Sequence, residues 1–211
     1  MKKLRYTCVL CFILACSLSK ANATIIFDNF GAGDSYIEDL GLGVGDVTIG
    51  EQDFASAFVP SNRGFLTQIW LAVGLSWGTN ELDVFLVEDD GGQPSNNVLE
   101  QFHFIDAMGP FGVDNPPLSS KANGNTFLIA GDQYWLALSM TEPSAHAAWN
   151  LNNTGDTGPV AWRLDSGAWT VSSATRGAFR LAVPEPTTFA LFAMGLTGLF
   201  LVRGNRLSED V

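Results

Sequence analysis

Ser35 is the first residue in this chain that invites a chemical reading. It closes Gly33-Asp34-Ser35, a glycine–acid–serine block that can present a hydroxyl nucleophile. Such a serine needs a histidine as base and a carboxylate to orient that base. The chain has two histidines, His103 and His146, and neither lies in an Asp-x-x-His arrangement. Nor do the two have metal-ligand spacing to each other or to a glutamate. His103 is expected in a strand and His146 in an exposed loop. Asp89-Asp90-Gly91-Gly92 offers Asp89 and Asp90 as candidate oxygen ligands for Ca²⁺. It lacks the alternating acids that wrap one ion, and a hairpin turn is the simpler reading. Acids are abundant enough to supply a pair for glycoside hydrolysis, but no pair sits in a recognisable context. No catalytic residue, cofactor or metal centre is expected.

The aromatic residues are more informative. Trp70 and Trp135 lie within apolar strands and belong to a core. Trp77, Trp149, Trp162 and Trp169 lie near stretches rich in Gly, Ser, Thr and Asn. An exposed indole with amide and hydroxyl neighbours stacks well on the apolar face of a sugar ring. Trp149, Asn150, Asn152 and Trp162 are the place where such a platform is expected.

The elements that would hold these residues are short strands separated by Gly, Asn, Asp and Pro. Segments are expected at Thr24–Phe30, Gln52–Val59, Phe65–Val73, Leu82–Val87, Val98–Ile105, Thr126–Ile129, Gln133–Met140, Ala147–Leu151, Pro159–Leu164, Ala168–Val171 and Ala178–Ala182. Gly31–Gly50 reads as a long loop with a short strand at Val47–Ile49, and Asp106–Asn125 as a second loop. No helical period of ten or more residues interrupts them. The pattern predicts an all-β fold, a jelly-roll-like β-sandwich over residues 24–182.

Charge narrows its partners. Between Thr24 and Ala182 there are five basic and nineteen acidic residues, a net of 5 − 19 = −14. That field disfavours nucleic acid and anionic lipid surfaces. All three cysteines, Cys8, Cys11 and Cys16, precede this segment. Stability there must come from an ordinary core rather than from disulfides.

The ends read as delivery segments. Residues 1–23 have a basic start (Lys2, Lys3, Arg5), an apolar stretch Tyr6–Leu18 and the small-x-small pattern Ala21-Asn22-Ala23. They are read as a signal peptide handed to the Sec translocon and cleaved before Thr24. Lipoprotein processing at Cys16 is the alternative; bulky Leu14 fits that motif less well. At the other end, Val183-Pro184-Glu185-Pro186 precedes the uncharged run Thr187–Val202, followed by Arg203 and Arg206. As a helix the run spans roughly 24 Å at about 1.5 Å per residue, slightly less than a hydrocarbon core of roughly 30 Å. It is apolar all round, unlike a helix lying on a soluble core, and is expected to cross the inner membrane with both arginines inside.

The order Pro-Glu-Pro, apolar helix, basic end resembles the PEP-CTERM sorting tail of Gram-negative bacteria. That resemblance implies export, transient membrane insertion and processing by an exosortase-type enzyme, with a link to exopolysaccharide. The spacing Arg-Gly-Asn-Arg, followed by Glu209-Asp210, departs from a tighter basic cluster. A second likeness lies in Gly64–Val73, Val84–Val87 with Asp89…Gly92-Gln93-Pro94, Ala130–Leu136, Gly167-Ala168-Trp169 and Phe179-Arg180-Leu181. In that order these segments resemble the choice-of-anchor R domain, which implies an exported β-sandwich without established catalytic residues. The block around Ser35 is similar to that of GDSL-type esterases, without their histidine. The sequence therefore predicts an exported, non-catalytic surface or extracellular-matrix protein. The alternatives are a carbohydrate-binding module and a glycan hydrolase.

Overall fold

Alternation of buried and exposed side chains sets the strands of this computed structural model, which describes residues 23–185. In chain order they are β1 (Ala23–Asp28), β2 (Gly41–Val47), β3 (Gly50–Phe58), β4 (Gly64–Phe65), β5 (Gln68–Leu71), β6 (Val73–Trp77), β7 (Glu81–Asp89) and β8 (Pro94–Ile105). Then come β9 (Gly109–Pro110), β10 (Leu118–Lys121), β11 (Phe127–Leu128), β12 (Tyr134–Met140), β13 (His146–Asn150), β14 (Thr157–Leu164), β15 (Thr170–Thr175) and β16 (Phe179–Pro184). Among the described residues one 3-10 turn, Ala32–Asp34, holds the Gly33-Asp34 pair. Thr24–Val183 form one compact unit.

The described strands make a four-stranded sheet, β1-β16-β5-β10, a two-stranded pair, β11-β4, and a ten-stranded sheet. The large sheet runs β8-β7-β12-β3-β2-β13-β6-β9, with β14 and β15 branching from β3. The fork follows from register. Phe54 of β3 faces Leu138 of β12 on one side and Trp162 of β14 on the other. Gln52 faces Gly45 of β2 and Leu164 of β14. One edge of β3 thus carries β2 and then β12 in succession, and the sheet curls to accommodate both.

The main core lies between the four-stranded and ten-stranded sheets. Ile26, Ile69, Leu71, Phe179 and Leu181 meet Val44, Phe58, Leu82, Leu86, Leu136 and Trp149 there. A second cluster covers the opposite face of the curled sheet, where Ala55, Ala57, Val87, Trp135, Ala137 and Ala161 are buried with Trp169 packed against them. Both faces of β12 are therefore covered, which suits its near-continuous apolar run Tyr134–Leu138.

The all-β expectation holds, and several element boundaries change. The Gly31–Gly50 loop contains a seven-residue strand, β2. Its Leu42 and Val44 face the core, while Gly41, Gly43 and Gly45 occupy the alternate positions. Neighbours come too close for side chains there: a Cβ on Gly41 would stand 2.9 Å from the Trp149 carbonyl oxygen. The expected single strand Phe65–Val73 is divided among three sheets as β4, β5 and β6. The crossing is fixed at Thr67, whose N–H and hydroxyl both donate to the Ala182 carbonyl, and at Ala72, whose N–H donates to Ala178. The Asp106–Asn125 loop carries β9 and β10.

Ala23 opens β1, and Pro184 closes β16. The signal-peptide reading of residues before Ala23, including Ala21, lies outside the described residues. So do Pro186, the expected membrane helix 187–202, Arg203 and Arg206. Among the described residues no helix is long and apolar enough to cross a membrane.

Candidate functional site

The residues expected to form a sugar platform are mostly structural. Trp149 is fully buried, and its indole N–H donates to the Ala178 carbonyl at 3.1 Å. Its ring leaves no face to a ligand: Gly177 lies so close to Cδ2, Cε2 and Nε1 that a Cβ there would overlap them. Asn150 and Asn152 are buried as well. The Asn150 amide donates to the carbonyls of Ile37 and Glu38 at 3.0 and 2.7 Å. The Asn152 amide donates to the Asp156 and Arg176 carbonyls, both at 2.8 Å, while its oxygen accepts from Asp156 N at 2.9 Å. Their amides cross-link the loop backbone, adding bonds to the Glu38, Asp156 and Arg176 carbonyls, which also accept from backbone N–H groups. Trp162 is half-buried in β14, paired with Phe54 and Thr170. The four therefore do not converge on a surface site. Proximity to polar loop residues in the chain says nothing about which way a strand side chain points.

Ser35, Asp34, His103 and Asp89 are likewise bonded internally. Ser35 Oγ accepts from Asn153 Nδ2 at 2.9 Å, and Asp34 accepts from Arg180 at 2.6 Å. Neither histidine is a hydrogen-bond partner of Ser35. His103 lies in β8, where Nδ1 is 2.8 Å from Asp83 Oδ1. Asp89 Oδ1 accepts from the indole N–H of Trp135 at 2.7 Å and from Gln133 Nε2 at 2.6 Å, and Oδ2 accepts from Gly92 N at 2.9 Å. Partial burial pushes this carboxyl upward, but the three hydrogen bonds outweigh it and hold Asp89 below the ordinary value. Asp90 is exposed beside it. No group of three His, Cys, Asp or Glu side chains among the described residues is arranged to hold a metal ion.

The geometry brings together a pair that the sequence kept apart. His146, expected in an exposed loop, opens β13 opposite Gly45 of β2 and Trp77 of β6. A bulge at His146/Ala147 turns Trp77 onto it. Their rings stack with centroids 4.3 Å apart and planes 12° apart. The imidazole fits because β2 has no side chain at Gly43: a Cβ there would be 3.0 Å from His146 Nε2. Burial lowers the His146 pKa below its ordinary value, and nearby Asp46 offsets this only in part. Nδ1 is buried with no hydrogen-bond partner among the described residues. Asp46, Val47, Thr48, Trp77 and His146 line a cleft of about 340 Å³. Trp77 is 51% exposed, the only one of the six tryptophans that is mainly open to solvent.

The end of the domain is equally defined. Val183 is buried in the core, where Gly64 packs directly against it, whereas Pro184 and Glu185 are exposed. No curated protein matches the chain. Residues 182–206 match the family model described as the PEP-CTERM protein-sorting motif, which implies an exported protein that transits the membrane and is processed by an exosortase.

Proposed function

We propose that the chain is a non-catalytic surface or extracellular-matrix protein of a Gram-negative envelope. In this reading the Sec translocon exports it behind a signal peptide cleaved at Ala23. Helix 187–202 holds it briefly in the inner membrane, and exosortase releases it near Pro-Glu-Pro. The body is then a jelly-roll-like sandwich related to choice-of-anchor R domains. The observation that carries the proposal is that the matched sorting region begins within the last core strand, where Val183 is buried and Pro184 exposed. Support for a non-catalytic role comes from Ser35, Asp34, His103 and Asp89, whose side chains are engaged in internal hydrogen bonds. Labelling of intact cells with an antibody to the sandwich tests the reading. Surface or extracellular label is expected, and it should shift to the inner-membrane fraction when Pro184, Glu185 and Pro186 are all changed to Ala. A cytosolic protein, or label indifferent to those changes, would oppose the proposal.

A further inference from the structure

We infer that the free face of Trp77 is a stacking platform for a neutral pyranose unit of a polysaccharide. One face of the indole rests on His146 at 4.3 Å, and the residue remains 51% exposed, so the opposite face is open. Stacking on His146 fixes the indole before a ligand arrives, which reduces the ordering cost of binding. The pair is anchored in paired strands rather than on a loop: His146 pairs with both β2 and β6, and Val47 pairs with Gly50 to close a tight hairpin. That hairpin places Asp46 and Thr48 in the wall of the same cleft. A pyranose presents an apolar C–H face for the indole and equatorial hydroxyls at its rim. The Asp46 carboxylate accepts from such hydroxyls, and Thr48 both donates and accepts.

Charge selects the class. Asp46 stands in the cleft, and residues 24–182 carry a net of 5 − 19 = −14. Uronates, sulfated sugars and phosphosugars are repelled, while neutral hexoses and N-acetylhexosamines are not. The other tryptophans offer no equivalent surface. Trp135 and Trp149 are buried, Trp162 is half-buried in β14 between Phe54 and Thr170, Arg163 covers Trp169 at 4.5 Å, and Arg180 lies 5.8 Å from the Trp70 ring.

This inference deepens the surface reading above and rests on it for the presence of a polymer. Its test is separate. The full chain, in a detergent without a sugar headgroup, is run through native gels containing laminarin, dextran, galactomannan or polygalacturonate, and is titrated with N-acetylglucosamine oligomers. Binding to at least one neutral glycan is expected, with at least a tenfold loss in Trp77→Ala and a smaller loss in Trp77→Phe and Asp46→Asn. Trp162→Ala should bind as wild type. Unchanged binding by a folded Trp77→Ala, no binding to any neutral probe, or preference for polygalacturonate would overturn the inference. A protein found at the cell surface that fails these assays sinks the platform alone.

Discussion

Gly177 packs flat against the indole of Trp149, so close that any side chain at residue 177 would overlap the ring. The contact joins β13 to the segment leading into β16, the strand from which the sorting tail departs. Trp149 also stacks at an angle on Phe179, with ring centroids 5.5 Å apart. Gly177→Ala is therefore expected to destabilise the fold by about 1–3 kcal/mol through overpacking. Trp149→Ala should cost about 3–5 kcal/mol by leaving a cavity. Chemical denaturation measures both. A Trp149→Ala protein of wild-type stability would show that the indole is not a core residue.

Asn152 supplies a second contrast between core and surface roles. Its amide and oxygen bridge Asp156, Arg176 and Thr154. Asn152→Ala leaves the part-buried Asp156 N–H without its partner, a loss of about 1–3 kcal/mol, and removes second bonds from the Asp156 and Arg176 carbonyls, which keep backbone partners. A clear drop in thermal midpoint is expected. Any glycan binding by the protein that survives folded should be unchanged, because Asn152 is 1% exposed.

The bond from Trp135 to Asp89 ties β12 to the end of β7. Trp135→Phe removes the donor and should cost about 1.5–3 kcal/mol, the range for a hydrogen bond to a charged group, before any loss of packing. The Asp89 carboxyl is lowered in the fold. Its contribution to stability is therefore complete above the ordinary value near 3.8 and is lost as pH falls through the lower folded value. Asp89→Asn should flatten stability against pH in that acidic range. With both Asp89 oxygens already engaged, chelation with EDTA is expected to leave the thermal midpoint unchanged. A large fall with EDTA would reinstate Asp89 and Asp90 as ion ligands.

His146 acts in the same direction as Asp89, but at higher pH. Burial lowers its pKa below the ordinary 6.5, so the unfolded chain takes up the proton first. Stability is full above about pH 6.5 and declines as pH falls toward the lower folded pKa, beyond which the dependence levels off. His146→Phe keeps a ring beneath Trp77 and removes the titration. Wild type should therefore lose stability relative to the variant as pH falls through that window. A constant difference from pH 8 to 5 would contradict the assignment.

Much of this fold was legible because its strands announce themselves by alternation. In β7, Leu82, Val84 and Leu86 are buried, and Asp89-Asp90-Gly91-Gly92 ends the strand on a turn. β2 was hidden because glycine at alternate positions mimics a loop. Those glycines are required by the close approach of Ala145, His146 and Trp149. The candidate site was less legible for a related reason. A tryptophan in a Gly- and Asn-rich neighbourhood looks exposed, yet Trp149 points into the core and Trp77 does not. The cue available for Trp77 was its place just before Gly78 at a strand end, where Gly78 adopts a φ of +87°. Nothing local announces its pairing with His146, which depends on a bulge and on long-range register. The tail was readable because Pro-Glu-Pro, an apolar run and arginines occur in fixed order.

The mass of the mature protein recovered from the cell surface or the medium tests the central claim most directly. A chain beginning at Thr24, ending at or beyond Pro184 and lacking Thr187–Val202 is expected, since cleavage before Val183 would cut a buried core strand. An intact 211-residue chain found in the cytosol, with both terminal segments retained, would contradict it.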